Sequence, residues 1–283
     1  MRVWLALIAL LASLHQAAAF STMVVEDCEA AWHKIMQAAK PHVQHSVSDD
    51  GWCQVIDKSG IDIDQIEWRA ENLQRVLQQS LAPTALAIRI TDADMLRTLG
   101  LGVKPDAPAM PMQITLVLRE NAPAKQLLIE TLLITGPKDN VLSLRGVFYD
   151  VDLSSLAKMQ LSLGSAKLRD LVLIADGNRK LEPYLRPYIG ATFPERSRRR
   201  SAMIDKVSDW PDHSFPPATK RAVQRLIAVL PAPNGTLRAE IDTGADLSAG
   251  LFVQTFLFGG STKELGARIL DGTVFHATWT AAE

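Results

Sequence analysis

Two histidines near the N-terminus are the side chains best suited to hold a metal ion. His42 and His45 are followed by Asp49 and Asp50 in a stretch that the sequence predicts to be a polar loop. Zinc is bound by nitrogen, sulfur or carboxylate donors in a tetrahedral arrangement, and such a loop contains donors of these types. The spacing matches no known metal signature, however. We therefore expect no metal and no other cofactor, with His42 and His45 as weak candidate ligands.

The tetrapeptide from Ser155 to Lys158 is a second set of residues that could do chemistry. It fits the S-x-x-K pattern of penicillin-interacting serine enzymes. In those enzymes the lysine lies one helical turn from the serine nucleophile. The K-T-G and S-D-N elements that complete their site are absent from this chain, as is the G-x-S-x-G elbow of many hydrolases. The pattern is short enough to arise by chance. The sequence therefore favours a protein that is not an enzyme.

The sharpest charge cluster in the chain consists of Arg196, Arg198, Arg199 and Arg200. Such a cluster can contact anionic lipid headgroups, and each basic residue close to such a surface adds about 1 kcal/mol. It can equally form a solvated helix face that is partly balanced by neighbouring acids. Both interpretations stay open, and the four arginines are candidate anion contacts.

A phenylalanine-rich segment offers the clearest apolar surface. Residues 251–258 are apolar nearly all round, which indicates a helix that is buried on all sides or that faces a ligand or partner. Leu251, Phe252, Phe256 and Phe258 are therefore candidates for an apolar ligand or partner surface. Packing in the core is the alternative.

The N-terminus has the pattern of a secretory signal peptide. Arg2 precedes an apolar run from Val3 to Leu14, and Ala17-Ala18-Ala19 provides the small residues that signal peptidase requires. The run is too short for a membrane span, which needs about 20 apolar residues. We expect cleavage after Ala19, a periplasmic or secreted location, and a mature chain without a transmembrane span.

Export also determines what is expected of the cysteines, Cys28 and Cys53. In an oxidising compartment the two are expected to form a disulfide. The bridge would close a loop of about 25 residues and contribute roughly 3 kcal/mol in the chain-entropy view. It would therefore tie the first helix to the start of the sheet.

Charge and composition limit the classes of function and the size of the domain that the chain can have. The chain has 30 basic and 31 acidic residues, and removing Arg2 with the signal leaves a net charge of about −2, which gives no general attraction for nucleic acid. A hydrophobic content of 47% is ample for a packed core. We expect a single domain over residues 20–283, with 20–178 mainly strands after an N-terminal helix and 179–283 mainly helices that complete the sheet.

Apolar runs in the centre of the chain define the predicted architecture. Residues 125–135, 141–151 and 168–175 are predicted strands, because apolar and polar side chains alternate along the second of them. Their connections are too short for parallel crossovers, so neighbouring strands should pair antiparallel. Further strands are expected near 61–68, 86–91, 112–119, 237–242 and 273–280, and helices near 26–39, 73–81, 180–189, 195–207 and 218–230. The predicted fold class is α+β, an antiparallel β-sheet meander backed by helices.

The segment from Leu168 to Trp279 shows a further pattern. A strand ends at Asp176-Gly177, basic helices broken by prolines follow, and Gly235-Thr236-Leu237 opens another strand. This order resembles uncharacterised exported proteins of Gram-negative bacteria, in which a strand ending at an Asp-Gly pair precedes helices and a Gly-Thr-Leu strand. The resemblance is limited to the C-terminal part, carries no catalytic residue and implies periplasmic residence.

Taken together, these observations favour a non-enzymatic exported protein whose sheet binds an apolar or lipid-like ligand or an envelope partner. A periplasmic hydrolase acting on an envelope component is the alternative, with a histidine or carboxylate site assembled only in the fold. A structural accessory subunit without a small ligand is the third hypothesis.

Overall fold

Ten strands form one sheet in which each strand pairs with its neighbours in the chain. The computed structural model describes residues 20, 22–36, 43–57, 65–94, 111–189, 198–243 and 272–282, and the fold is given for these. Every pairing among them is antiparallel, which confirms the predicted α+β meander. The strands are β1 (Val43–Val47), β2 (Cys53–Asp57), β3 (Gln65–Glu71), β4 (Ala85–Asp94), β5 (Pro111–Asn121), β6 (Gln126–Thr135), β7 (Val141–Tyr149), β8 (Lys167–Gly177), β9 (Gly235–Thr243) and β10 (Thr273–Ala281).

One face of this sheet is apolar from β3 to β10, and we call it the apolar face. Because side chains alternate along each strand, residues that are paired in register share a face. One such row consists of Trp68, Ile88, Leu116, Leu132, Leu144, Leu173, Ala239 and Ala277, and the next of Ile66, Ile90, Ile114, Ile134, Leu142, Ala175, Leu237 and Trp279. The row between them on the opposite face is mixed and consists of Glu67, Arg89, Thr115, Leu133, Ser143, Ile174 and Arg238.

Six α-helices lie within the described residues: α1 (Val25–Met36), α2 (Leu73–Gln79), α3 (Leu156–Leu163), α4 (Glu182–Ile189), α5 (Arg198–Ser208) and α6 (Pro217–Val229). The sequence of α6 has apolar residues at helical spacing, which gives the helix one apolar side. In the structure Ile227 on that side is buried, whereas Arg221 on the other side is exposed. Three short 3₁₀ turns at 122–124, 137–139 and 179–181 complete the described connections.

Within the described ranges, helices pack on the two ends of the apolar face. Around β2 and β3, Trp68, Cys53 and Val76 form a buried cluster with residues of α1. At the other end Ala222 of α6 packs on Ala277 and Trp279 of β10. A smaller cluster beside α3 buries Leu127, Val151 and Ala166.

Between these clusters the apolar side chains of β4 to β8 remain half-buried. Ile88, Leu116, Leu132 and Leu144 all keep partial exposure in the described part of the chain. A glycine in this region permits close packing, since a Cβ at Gly146 would lie 2.5 Å from the side chain of Leu171. A band of partly exposed apolar side chains therefore crosses the middle of the sheet.

Two strands were not predicted from the sequence. Residues 43–47, expected to lie in a polar loop, form β1, and residues 53–57 form β2. Their few apolar residues gave no alternating pattern, but pairing with β3 and packing under α1 stabilise them. The predicted strand at 61–68 is described only from Gln65, where β3 begins.

Candidate apolar binding site

A cavity of about 400 Å³ opens at one end of the apolar face. Its floor is a single row of side chains that runs across five neighbouring strands: Ile134, Leu142, Ala175, Leu237 and Trp279. Neighbouring strands lie about 4.8 Å apart, so this row is roughly 19 Å long. Ala175 is the smallest residue of the row and lies between Leu142 and Leu237. The alanine side chain therefore takes up less space in the floor than the leucines on either side of it.

The roof of the cavity comes from the end of α6 and the segment that follows it. Leu226, Leu230 and Pro233 line the cavity opposite the strands, and Leu181 closes one side. Helix α6 is held at the edge of the sheet by Thr219, whose hydroxyl donates to the carbonyl of Phe275 at 2.7 Å and accepts from the N–H of Ala277 at 2.9 Å. This double contact joins the first turn of α6 to β10.

The mouth of the cavity is formed by two turns that hydrogen-bond to each other. The Asn140 Oδ1 accepts from the Asn178 N–H at 2.8 Å, and the Asn178 Nδ2 donates to the carbonyl of Lys138 at 2.7 Å. The Asn140 amide also donates to the carbonyl of Pro137 at 2.7 Å. Both amide side chains are thus used to hold the mouth in shape, and the cavity behind it is lined almost entirely by apolar groups.

The predicted disulfide pair is brought together by the fold. Cys28 of α1 and Cys53 of β2 are both fully buried, and their Cα atoms lie 5.7 Å apart, within the range for a disulfide. The pair joins α1 to the second strand of the sheet, beside Trp68 in the same buried cluster.

The predicted phenylalanine surface, Leu251, Phe252, Phe256 and Phe258, lies outside the described residues. Arg196 does as well, and for Arg198 and Arg199 only the backbone in α5 is described. Arg200 has a structural contact, because its guanidinium donates to the carbonyl of Leu230 at 2.7 Å and to that of Ala228 at 3.3 Å. A cation at these carbonyls also complements the negative end of the α6 dipole.

His42 lies outside the described residues, whereas His45 lies in β1 on the apolar face. The His45 ring is 6.2 Å from the ring of Trp32 and 6.4 Å from that of His33. Burial lowers the pKa of His45 below its ordinary value; Glu29 opposes this effect and His33 adds to it. Among the described residues, no three histidine, cysteine or acidic side chains are grouped as metal ligands would be.

Ser155, the serine of the S-x-x-K pattern, caps a helix. It precedes α3, and its hydroxyl accepts a hydrogen bond from the N–H of Lys158 at 3.1 Å. Serine is a preferred residue at this position because it satisfies a free N–H of the first turn. The spacing of the tetrapeptide is therefore explained by helix capping.

The cavity itself was not predicted as a site. Apolar and polar residues alternate along β7 and β10, and this pattern predicts that Leu142 and Trp279 lie on an apolar face. This alternation is the signal in the sequence that points to the floor of the cavity. Nothing in the sequence indicated that α6 would pack on Trp279 at one end of that row while a cavity lined by Leu226 and Leu230 remains beside it.

No protein-family model matches this chain, and neither a curated protein nor a solved structure does. Among the described residues, no helix has both the length and the apolar character needed to cross a membrane.

Proposed function

We propose that this protein is an exported binding protein that holds the hydrocarbon part of a lipid-like ligand in the cavity at the end of its apolar face. The observation that carries the proposal is the row from Ile134 to Trp279, which forms an apolar floor under a separate apolar roof. Ligand pockets typically have volumes of about 300–1,000 Å³ and are lined mainly by hydrophobic side chains with few polar groups. A cavity of about 400 Å³ falls in this range.

The volume sets the size of the ligand. A methylene group is similar in size to a water molecule, whose share of liquid volume is about 30 Å³, so the cavity accommodates roughly twelve methylenes. Burial of each contributes about 0.8 kcal/mol, or roughly 10 kcal/mol in total. Association costs at least about 4 kcal/mol. The hydrocarbon part of the ligand alone should therefore bind with a dissociation constant in the tens of micromolar.

The location proposed from residues 1–19 suits this function. A signal peptide would deliver the protein to an oxidising compartment, where the Cys28–Cys53 pair would be oxidised. A hydrocarbon chain is poorly soluble there, and a protein that shields it lowers the cost of its exposure to water. Contact of Arg198 and Arg199 with an anionic membrane surface remains a prediction consistent with this role.

Organic extraction of protein purified from its own host, followed by mass spectrometry, tests the proposal. We expect a co-purified amphiphile whose chain is close to twelve carbons or longer, released on unfolding. Titration of the stripped protein with dodecanol, followed by calorimetry, provides the second measurement. Absence of a co-purified amphiphile together with no heat of dodecanol binding would refute the proposed function.

A further inference from the structure

Three exposed basic residues, Lys138, Arg179 and Lys180, lie on the two turns whose neighbouring residues line the cavity. Lys138 lies in the turn between the lining residues Gly136 and Asn140, and Lys180 directly precedes the lining residue Leu181. None of the three takes part in the ion pairs found in the described part of the chain. Their charges are thus available to a bound molecule.

The backbone fixes the turns that carry these side chains. Lys138 and Asp139 both have a φ of 62°, a left-handed conformation that residues other than glycine adopt uncommonly. The contacts of Asn140 and Asn178 hold this conformation, and the Asn178 Oδ1 also accepts from the N–H of Lys180 at 3.0 Å. Strained turns that are held by several hydrogen bonds occur often at binding sites.

The balance of charge at the mouth is positive. The same two turns and the end of β8 carry two exposed carboxylates, Asp139 and Asp176, of which Asp176 lines the cavity, so three cations against two carboxylates leave one positive charge in excess. Asp176 already accepts a hydrogen bond from the hydroxyl of Thr236 at 2.5 Å. A ligand whose hydrocarbon chain fills the cavity would therefore present its polar end to a locally cationic rim.

We propose that the ligand of the cavity is a single-chain amphiphile with an anionic headgroup, which the basic rim of Lys138, Arg179 and Lys180 recognises. This proposal rests on the proposed function and specifies its ligand class. The hydrocarbon chain provides most of the affinity, and the basic rim favours ligands whose headgroup is negatively charged. Exposed ion pairs are weak individually, so the expected selectivity is about fivefold to tenfold at low salt and smaller at high salt.

The experiment compares three amphiphiles of equal chain length at about pH 8, where a carboxylate is ionised. Dodecanoate, dodecanol and dodecyltrimethylammonium are titrated below their micelle concentrations into the full-length mature protein. The test variant is Lys138→Glu with Lys180→Glu, which makes the rim acidic. The matched control is Lys158→Glu with Lys206→Glu, two exposed lysines on α3 and α5, which changes the total charge equally.

We expect the wild type and the control to bind the acid most tightly, the alcohol about fivefold to tenfold less, and the ammonium compound least. The rim variant should reverse this order while binding dodecanol unchanged. Lys180→Gln alone leaves two cations against two carboxylates at the rim, so this variant should bind acid and alcohol alike. Equal binding of acid and alcohol by the wild type would overturn the charge selection and leave the proposed function standing. An unchanged order of affinities in the rim variant would also overturn the charge selection and leave the proposed function standing. Failure of the wild type to bind any of the three amphiphiles would overturn both proposals.

Discussion

Replacement of Ala175 by leucine is predicted to fill part of the cavity. Ala175 lies in the floor between Leu142 of β7 and Leu237 of β9. A leucine there matches its neighbours in type and extends toward the roof formed by Leu226 and Leu230. The variant should therefore fold normally, and cavity filling of this kind commonly stabilises a protein by about 0.5–2 kcal/mol.

The size of the effect on binding follows from the carbons added. Leucine has three more side-chain carbons than alanine and would displace about three methylenes of the ligand. At about 0.8 kcal/mol for each methylene, the loss is about 2.4 kcal/mol, which corresponds to roughly 50-fold weaker binding.

The assay is a calorimetric titration with straight-chain alcohols of increasing length. Each added methylene should strengthen binding by about fourfold until the cavity is full at roughly twelve carbons, after which the affinity should level off. In the Ala175→Leu variant the same plateau should begin about three carbons earlier. A shift in this breakpoint distinguishes loss of space from a general loss of structure.

Ser143→Leu is the control for this experiment. Ser143 lies on β7 next to Leu142 but on the opposite face of the sheet, so the same side chain points away from the cavity. The alcohol series should be unchanged in this variant. If a folded Ala175→Leu protein binds as the wild type does, or if Ser143→Leu weakens binding equally, the assignment of the site is wrong.

Four further predictions concern stability. Cys28→Ala with Cys53→Ala should lower the free energy of unfolding by about 3 kcal/mol in non-reducing urea titrations; equal stability of the two proteins would show that the bridge is absent. Burial lowers the pKa of His45 below 6.5, so the unfolded chain takes up this proton first and stability should fall as the pH drops below about 6.5. His45→Gln should remove that part of the decline, and parallel pH profiles would refute the assignment. Ser155→Ala should cost about 1 kcal/mol, whereas Ser155→Asp should keep the cap; equal thermal midpoints for both would contradict the capping role. Arg200→Gln should cost about 1–2 kcal/mol by removing its contacts with the end of α6, and an unchanged urea midpoint would show that they contribute nothing.

Much of the sheet could be predicted because its central strands are long and alternate regularly. In β7, Leu142 and Leu144 flank Ser143, and the short connection to β6 permits only antiparallel pairing. The predicted helix near 218–230 is also found, since its apolar residues recur at helical spacing. These are local signals that a single sequence contains.

Features that depend on distant contacts could not be predicted in this way. Residues 43–47 contain the polar His45, and they form a strand because β2 pairs with them and Trp32 of α1 packs beside them. Arg200 belonged to a charge cluster in the sequence, but its guanidinium binds carbonyls at the end of α6. The cavity likewise depends on the packing of α6 on β10, where Ala222 contacts Ala277 and Trp279 and Thr219 hydrogen-bonds to Phe275 and Ala277.

Photo-crosslinking with a diazirine-bearing dodecanoate, followed by peptide mass mapping, tests the central claim most directly. We predict labelled peptides from the ends of β6, β7 and β8 and from residues 226–237, with labelling suppressed by excess dodecanol. Labelling confined to other parts of the chain, or labelling that excess dodecanol does not reduce, would contradict the account.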